Sequence, residues 1–399
     1  MKKNFEKAKE LAAKVPTTYC PMPFREMYSA NDGDYKLCCH AVKSPRLKEL
    51  NKRKALPFEY WLSEEMDGIR DDLMEGKVLP ECAKCYNLEK SDGMSPRLNY
   101  LLLHGLVASV EKVAIGLRIN GSFCNLGCYM CGPTNSSTRR KVLNEIYDKD
   151  NEMRDYFYFD NFTFKHTHWN NIISNILENI HLVDRIHMTG GEPLQLPKYW
   201  EFLDSIPDDA AKNISLSHNT NFTKIRYKNH SIHSTIDKFK RVHYAVSCDH
   251  FGDKLAWIRN PINVESFENN IRELCETKAD ARIQITTSIL NIHDHFDIRD
   301  YYRDNFNLRT SLDDIDASLD HCVVSKPELL SVRNLPQKLK DVYIEKYQQY
   351  PTVVSELKKD SVGLFDESLK YCDDLSRHMG KDFRVIWKDW LEYVDSFRL

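Results

Sequence analysis

Hydrophobic and polar residues alternate in several short segments in the middle of the chain. In VAIGLRI (113–119), the apolar residues Ile115, Leu117 and Ile119 take every second position, which predicts a strand with one buried face. Similar patterns predict strands in RIHMTG (185–190), NISLSHN (213–219), RVHYAVSCD (241–249), RIQITTSIL (282–290) and ASLDHCVV (317–324). The segments NNIISNILENI (170–180) and FENNIRELCETK (267–278) have helical spacing. This alternation predicts an α/β fold with a parallel sheet, and six such units would form a partial (β/α)6 barrel of the TIM type.

The flanking segments have different patterns. Residues 15–100 are rich in cysteine, proline and turn residues, which predicts a separate Cys-rich module. Within it, Leu62, Met66, Ile69 and Leu73 are spaced to share one helix face. The barrel is expected over 112–325. Helical patterns in LPQKLKDVYIEKYQQY (335–350) and KDFRVIWKDWLEYVDSF (381–397) predict a helical extension over 335–399.

Composition narrows the class of protein. The chain has 399 residues, of which 42% are hydrophobic and 29% charged, as expected for a globular protein of two or three domains. Its net charge of −3 gives no strong signal for nucleic-acid binding. The N-terminus lacks the apolar run of a signal peptide, and LNYLLLHGLVASV (98–110) is too short to span a bilayer. We therefore expect a cytoplasmic protein without membrane contact, in which the count of twelve cysteines favours metal or redox chemistry over disulfides.

Three of these cysteines occur together directly after the first predicted strand. In FCNLGCYMCGP (123–133), Cys124, Cys128 and Cys131 have the spacing C-x3-C-x2-C. Thiolates suit zinc and iron–sulfur clusters, but structural zinc usually has four protein ligands. A [4Fe–4S] cluster held by three thiolates would keep one iron open to a substrate or cofactor. A zinc loop with its fourth ligand elsewhere is the alternative.

CNLGCYMC is similar to the CX3CXφC motif of radical S-adenosylmethionine (SAM) enzymes, with Met130 at the position that is usually aromatic. GGEP (190–193) resembles that family's SAM-binding motif. The resemblance implies that Gly190, Gly191 and Glu192 bind the SAM amino group. AVSCDHFGDKLAWIRNP (245–261) resembles a further family segment. There the resemblance implies that Ser247 and Arg259 contact the ribose and carboxylate.

The N-terminal cysteines resemble an auxiliary-cluster module, the short twitch form of the SPASM module, although such modules usually follow the barrel. Cys20, Gly33 and Cys38 match C-x9–15-G-x4-C, and Cys82 and Cys85 form a C-x2-C pair. The resemblance implies that the four cysteines ligate a second [4Fe–4S] cluster. Cys39 competes with Cys38, and the glycine spacing favours Cys38. A four-cysteine zinc ribbon is the alternative.

The resemblance implies an oxidoreductase-type modifying enzyme that reductively cleaves SAM to a 5′-deoxyadenosyl radical. The radical would abstract hydrogen from an unactivated carbon of a substrate. Cys322 is a candidate hydrogen-atom donor, and flavodoxin or ferredoxin is the expected reducing partner. Relatives with such modules often modify peptides or proteins, so we expect that substrate class. Modification of a small molecule or nucleotide, and a non-catalytic iron–sulfur or zinc protein, are the alternatives.

Overall fold

The computed structural model describes residues 2–30, 32–90, 94–107, 109–118, 121–157, 159, 169–313 and 322–398. Its strands are β1 (Glu26–Ser29), β2 (Tyr35–Lys36), β3 (Val113–Leu117), β4 (Val183–Met188), β5 (Ser215–Thr220), β6 (Arg226–Tyr227), β7 (His230–Ser231), β8 (Arg241–Ser247), β9 (Asp280–Gln284), β10 (Thr286–Thr287) and β11 (Cys322–Val323).

Helices outnumber strands in the described residues. They are α1 (Lys2–Ala12), α2 (Met22–Arg25), α3 (Lys48–Lys52), α4 (Pro57–Trp61), α5 (Glu64–Met74), α6 (Ala83–Lys90), α7 (Pro96–His104), α8 (Ser137–Ile146), α9 (Trp169–Glu178), α10 (Pro197–Ser205), α11 (Asp208–Ala211), α12 (Ile232–Lys238), α13 (Gly252–Ile258), α14 (Val264–Cys275), α15 (His295–Phe306), α16 (Gln337–Lys346), α17 (Pro351–Leu357), α18 (Phe365–Met379), α19 (Phe383–Ile386) and α20 (Lys388–Asp395). Short 3₁₀ turns cover Pro45–Leu47, Pro80–Cys82, Glu152–Tyr156, Ile180–Leu182, Pro193–Gln195, Glu328–Leu330 and Val332–Asn334.

The chain divides into two compact units. The first contains Met1–Gly121, Phe162–His218 and His230–His243, and the second contains Ser122–Asn161, Asn219–Asn229 and Tyr244–Leu399. No described helix has both the length and the apolar character needed to cross a bilayer.

The first unit is built on a mostly parallel sheet with the strand order β2-β1-β3-β4-β5. β3 pairs in parallel with β1 and β4, and β4 pairs in parallel with β5. Ile115, Ile186 and Leu216 are buried on neighbouring strands and form part of the core. β1 and β2 form an antiparallel hairpin, in which Gly33 has a φ of +78° that favours glycine.

The second unit is mainly helical around a few short strands. β10 and β11 pair in parallel, and Cys248 at the end of β8 donates its N–H to Gln284 of β9 at 3.0 Å. Trp257 and Trp387 are fully buried in its core. Helix α18 buries Tyr371, Cys372 and Leu375, so the C-terminal helices share the hydrophobic core of this unit.

The predicted α/β class with a parallel sheet and many helices is confirmed. The barrel, the separate Cys-rich module and the boundaries 15–100, 112–325 and 335–399 stay predictions. The predicted strand ASLDHCVV lies mostly outside the described residues, apart from the residues of β11 and Val324. On the helix face predicted around α5, Met66, Ile69 and Leu73 are buried, but Leu62 is 54% exposed because it follows the preceding helix α4 as its C-cap.

Candidate functional site with two groups of cysteines

The loop that carries Cys124, Cys128 and Cys131 is fixed by backbone hydrogen bonds within the second unit. Gly127 and Tyr129 donate their N–H groups to Asn260 O (2.8 Å) and Ile258 O (2.9 Å). Ser136 caps α8 by accepting from the Arg139 N–H, and its hydroxyl donates to Leu126 O at 2.6 Å. The loop is therefore held against the segment around Arg259 on one side and the start of α8 on the other.

The three residues between the first two cysteines each fit this loop. Leu126 is buried and anchors it in the core. A Cβ on Gly127 would lie 3.4 Å from a methyl carbon of Thr138, so the loop approaches α8 closely there. Asn125 donates to Thr223 Oγ1 at 2.9 Å and accepts from Asn221 Nδ2 at 2.9 Å. These contacts fix the loop, and none of them involves a cysteine sulfur atom.

Polar hydrogens of the second unit are directed at two of the sulfur atoms. Cys124 Sγ accepts from the Leu126 N–H at 3.5 Å and from Asn221 Nδ2 at 3.7 Å. Cys128 Sγ accepts from Arg259 Nη1 at 3.8 Å. Hydrogen bonds of this kind stabilise a thiolate and tune the potential of a cluster that thiolates bind.

Cys128 and Cys131 also share a hydrogen bond. It lowers the pKa of Cys128 to about 7 against the effect of burial, and Arg259 acts in the same direction. The same bond, together with burial, raises the pKa of Cys131. Cys128 is therefore the thiol of this pair that ionises first.

Arg259, predicted to contact the SAM carboxylate, is buried in an ion pair. Its Nη2 lies 2.5 Å from Oδ2 of Asp249, which is fully buried and accepts the Thr286 N–H through Oδ1 at 2.8 Å. Burial lowers the pKa of Arg259, but Asp249 and then Cys128 raise it above its ordinary value. The Nε atom of Arg259 has no hydrogen-bond partner among the described residues, so one donor is left for a ligand.

A second polar cluster supports the same segment. Asp294, beside the start of α15, accepts from His250 Nε2 at 2.9 Å and from Lys254 Nζ at 2.6 Å. Burial raises the pKa of Asp294, but the bonds to His250 and Lys254 outweigh it and lower that pKa below the ordinary value. His250 directly follows Asp249 in the chain, so this cluster fixes the backbone beside the buried ion pair.

The predicted GGEP turn follows β4 in the first unit. Gly190 and Gly191 have φ values of +86° and +53°. A Cβ on Gly190 would lie 3.3 Å from Arg118 Cβ, so this turn requires glycine for its backbone angle and for its close approach. Glu192 is buried, and its Oε1 accepts the Leu194 N–H at 3.1 Å, which caps the 3₁₀ turn Pro193–Gln195.

Two further predicted residues lie at strand ends in the second unit. Ser247 is the last residue of β8 and is partly exposed. Cys322 begins β11 and is exposed, and its sulfur accepts from Gln284 Nε2 at 3.7 Å. Its role as a hydrogen-atom donor stays a prediction.

The four predicted auxiliary ligands come together in the first unit. Cys20, Cys38, Cys82 and Cys85 all line one pocket, although they come from three separate places in the chain. Cys20 precedes α2, Cys38 follows the β1–β2 hairpin, Cys82 ends the turn Pro80–Cys82 and Cys85 lies in α6. The other lining residues are His40, Ala41, Lys84, Tyr86, Pro96, Arg97 and Tyr100.

The pocket distinguishes between the two neighbouring cysteines. Cys38 lines it and is buried, whereas Cys39 is exposed and lies 3.7 Å from the hydroxyl of Tyr100. The pocket therefore favours Cys38 as the fourth ligand, as does the glycine spacing.

Burial raises the pKa of each pocket thiol, and that of Cys82 reaches about 12. Burial and then Lys84 lower the pKa of His40 to about 4, so its imidazole is neutral. Arg97 is buried and paired with Glu89, with 3.0 Å between Nε and Oε1. The pocket thus offers neutral thiols, and a metal must displace their protons to bind there.

The donor sets fit iron–sulfur clusters in number and chemistry, because one holds three thiols and the other four. Within the described ranges, no three His, Cys, Asp or Glu side chains are arranged to hold a single metal ion. A cubane presents its irons at separate corners, so its thiolates are farther apart than the ligands of one ion.

Sequence patterns did not identify several residues of the three-cysteine site. Asn221 lies two residues after the predicted strand 213–219, and Asp249 is the last residue of the predicted strand 241–249. Their place at the ends of these strands was the available signal for them. Arg139 and Tyr371, which both bond to the carbonyl of Tyr129, have helical positions that look like those of ordinary surface or core residues.

No protein-family model matches the chain, and no curated protein matches its sequence. Among solved structures, Streptococcus suis SuiB bound to S-adenosylmethionine superposes with a TM-score of 0.30 at 14% identity, over 61% of this chain and 50% of that one. Native anSMEcpe with bound AdoMet superposes with a TM-score of 0.40 at 15% identity, over 68% of this chain and 67% of that one. Streptococcus suis SuiB bound to precursor peptide SuiA superposes with a TM-score of 0.31 at 13% identity, over 63% of this chain and 47% of that one. This chain therefore spans about half the length of the SuiB chains. Superpositions with TM-scores below 0.5 do not establish a common fold, so any function must be inferred from this chain's own residues.

Proposed function

We propose that this protein is a radical SAM enzyme whose cluster is held by Cys124, Cys128 and Cys131. The observation that carries the proposal is the loop itself. Three thiols share it, two of their sulfur atoms accept N–H bonds, and a buried arginine contacts one of them. Together with the hydrogen bond between Cys128 and Cys131, the guanidinium lowers the pKa of Cys128 and so favours the thiolate, which is the form of cysteine that binds iron.

The residues that match the family's SAM-binding motifs would bind SAM. When bound, a [4Fe–4S] cluster with an open iron supplies the electron that cleaves SAM to a 5′-deoxyadenosyl radical. The family resemblance implies that Gly190, Gly191 and Glu192 bind the amino group of SAM. It also implies that Ser247 and Arg259 contact the ribose and the carboxylate. The two glycines carry no side chains, which allows a ligand to approach the backbone of the turn closely. Arg259 is held in place by Asp249 and keeps its Nε as a donor for a carboxylate.

The four-cysteine pocket would hold a second [4Fe–4S] cluster, as in a twitch-type auxiliary module. Cys20, Cys38, Cys82 and Cys85 supply four thiolates, which leaves no iron open. A closed cluster of this kind would accept an electron from the substrate radical or pass electrons to the first cluster, with flavodoxin or ferredoxin as the external reductant. We propose a peptide or protein as the substrate, on the family resemblance alone.

Anaerobic reconstitution with iron and sulfide tests this proposal. The expected protein carries about eight irons and eight sulfides per chain, four of each for each cubane, and forms 5′-deoxyadenosine from SAM under dithionite. Cys128→Ala should abolish that product, whereas Cys275→Ala removes an exposed thiol from α14 and should leave it unchanged. Stoichiometric zinc without labile sulfide, or equal activity in both variants, would overturn the proposal.

A further inference from the structure

Arg139 is a fully buried cation in the second unit, close to the three-cysteine loop. It lies in the first turn of α8 and has no exposed surface. Its Nη2 donates to Tyr129 O at 3.1 Å, and its guanidinium lies 5.2 Å from the ring centre of Tyr371. Its Nε and Nη1 have no hydrogen-bond partner within the part of the chain that the structure describes.

Two carboxylates on α8 and α18 are engaged with other groups. Glu145, on the same helix, pairs with Lys141 at 3.7 Å and with His378 at 3.6 Å. Asp374 of α18 accepts from the Tyr147 hydroxyl at 2.8 Å and also pairs with Arg377. Taking a guanidinium out of water is costly unless an anion compensates its charge, and aromatic faces compensate it only partly.

The groups that can supply this anion are the cysteines of the loop. Burial lowers the pKa of Arg139 to about 10, and the strongest opposing influences are Cys131 and then Cys128. Both cysteines flank Tyr129 and Met130, and the Tyr129 carbonyl is bonded to Arg139. The unpaired N–H groups and the thiols thus belong to one buried cluster.

We propose that Arg139 is the fixed counter-charge of the three-cysteine site, a positioning residue that stabilises the cluster in its reduced, more negative form. This inference rests on the proposed function. A [4Fe–4S]2+ core with three thiolates has a net charge of −1, which one arginine balances. Uptake of one electron from dithionite or a physiological reductant makes the charge −2. A neutral side chain at 139 would therefore disfavour reduction of the cluster.

The inference also assigns a part to the C-terminal segment. Tyr371 stacks near Arg139 and donates its hydroxyl to Tyr129 O at 2.7 Å, so this one carbonyl accepts bonds from both side chains. Helix α18 thereby helps to enclose the cation and to shield it from water. Shielding matters because a solvated charge would be screened and would have little effect on the cluster.

The test compares Arg139→Gln, Arg139→Lys and the control Lys141→Gln. Glutamine keeps a donor for Tyr129 O but removes the charge, and lysine keeps the charge. Lys141 is on the same helix with 77% of its side chain exposed, so its removal subtracts the same charge from the surface. The melting temperature of each metal-free protein is measured first. The midpoint potential of the reconstituted cluster is then measured by dithionite titration followed by EPR.

The metal-free Arg139→Gln protein should melt at or above the wild-type temperature, because the substitution removes a buried charge that has no ion-pair partner among the described residues. Its cluster should be at least tenfold harder to reduce, a shift of 59 mV to more negative potential for a one-electron couple. Arg139→Lys and Lys141→Gln should keep potentials near the wild-type value. Loss of the cluster in Arg139→Gln but not in Arg139→Lys would support the same conclusion.

Three results would overturn the inference. One is a metal-free Arg139→Gln protein that melts well below wild type or fails to fold, which would indicate a structural role. Another is an unchanged potential in that variant. The third is equal loss of the cluster in the glutamine and lysine variants. A wild-type protein that takes up no iron–sulfur cluster would instead refute the proposed function, while the metal-free melting comparison would still test whether Arg139 is an uncompensated charge.

Discussion

Variants of the buried ion pair between Arg259 and Asp249 can separate the contribution of Arg259 to protein stability from its contribution to ligand binding. At 2.5 Å, two unit charges attract by about 7 kcal/mol with an effective dielectric constant of 20, and the cost of desolvating both groups offsets much of this. Removal of one partner leaves the other buried and uncompensated. We therefore expect Arg259→Met to lower the free energy of unfolding by about 3–5 kcal/mol.

The double variant Arg259→Met/Asp249→Asn should recover most of that loss. Asparagine still accepts the Thr286 N–H, and no buried charge is left without a partner. Neutral replacements of a buried ion pair are often tolerated. We therefore expect the free energy of unfolding of the double variant to lie within about 1.5 kcal/mol of the wild-type value. Urea denaturation of the metal-free proteins measures both values. A fully stable Arg259→Met protein would refute the importance of the pair for folding.

The same double variant then tests the ligand role of Arg259. If its guanidinium binds the SAM carboxylate, its loss should weaken SAM binding by about 2–3 kcal/mol, roughly 30- to 150-fold. Asp249→Asn alone keeps the guanidinium and should bind SAM at least as tightly as wild type. Anaerobic SAM titration, followed by EPR of the reduced cluster and corrected for iron content, gives these affinities. Wild-type affinity in the double variant would show that Arg259 is structural only.

Three other predictions follow from the same contacts. Cys128→Ala should abolish SAM cleavage. Cys82→Ala should still form 5′-deoxyadenosine, but substrate modification should fall. If SAM cleavage were lost in Cys82→Ala and kept in Cys128→Ala, the cluster assignments would be reversed. Glu192→Gln should weaken SAM binding. The iron content should not change, because the amide oxygen of glutamine can still cap the 3₁₀ turn. An unchanged affinity for SAM would contradict the proposed role of Glu192. Asp294→Asn should cost about 1.5–3 kcal/mol of unfolding free energy at pH 7. Because the folded pKa of Asp294 is lowered, its stabilising effect is present above its ordinary pKa of 3.8 and is lost as the pH falls through the lowered folded pKa. Urea denaturation should therefore show the difference between the variant and wild type shrinking steadily as the pH falls below 3.8. A constant difference between them would contradict that reasoning.

Local patterns in the sequence predicted the elements well where burial follows one period. Met66, Ile69 and Leu73 are buried because their spacing places them on one face of α5. Leu62 is exposed because helix α4 ends at that residue. No periodic pattern shows where one helix ends and the next begins. Strand β1 (Glu26–Ser29) was missed for a similar reason, since four residues are too few to establish an alternation.

Spacing also selected cysteines that the structure brings together, but it could not identify the charged groups beside them. The bond between Tyr371 and Tyr129 joins residues 242 positions apart, and that between Arg259 and Cys128 joins residues 131 apart. Such contacts depend on how the second unit packs. Nothing in the local sequence distinguishes Arg139 from the surface cations that follow it on α8.

The charges around the two groups of cysteines differ in a way that matches their proposed clusters. In the three-cysteine site, Asp249 neutralises Arg259, whereas Arg139 has no ion-pair partner among the described residues and would face a three-thiolate cluster of charge −1. In the four-cysteine pocket, Arg97 is already neutralised by Glu89, and the cation on its lining without such a buried partner is the exposed Lys84. A more negative cluster in that pocket would therefore be balanced by solvent and surface charge. The open site, by contrast, has its balancing charge fixed inside the core, where it acts on reduction with little screening.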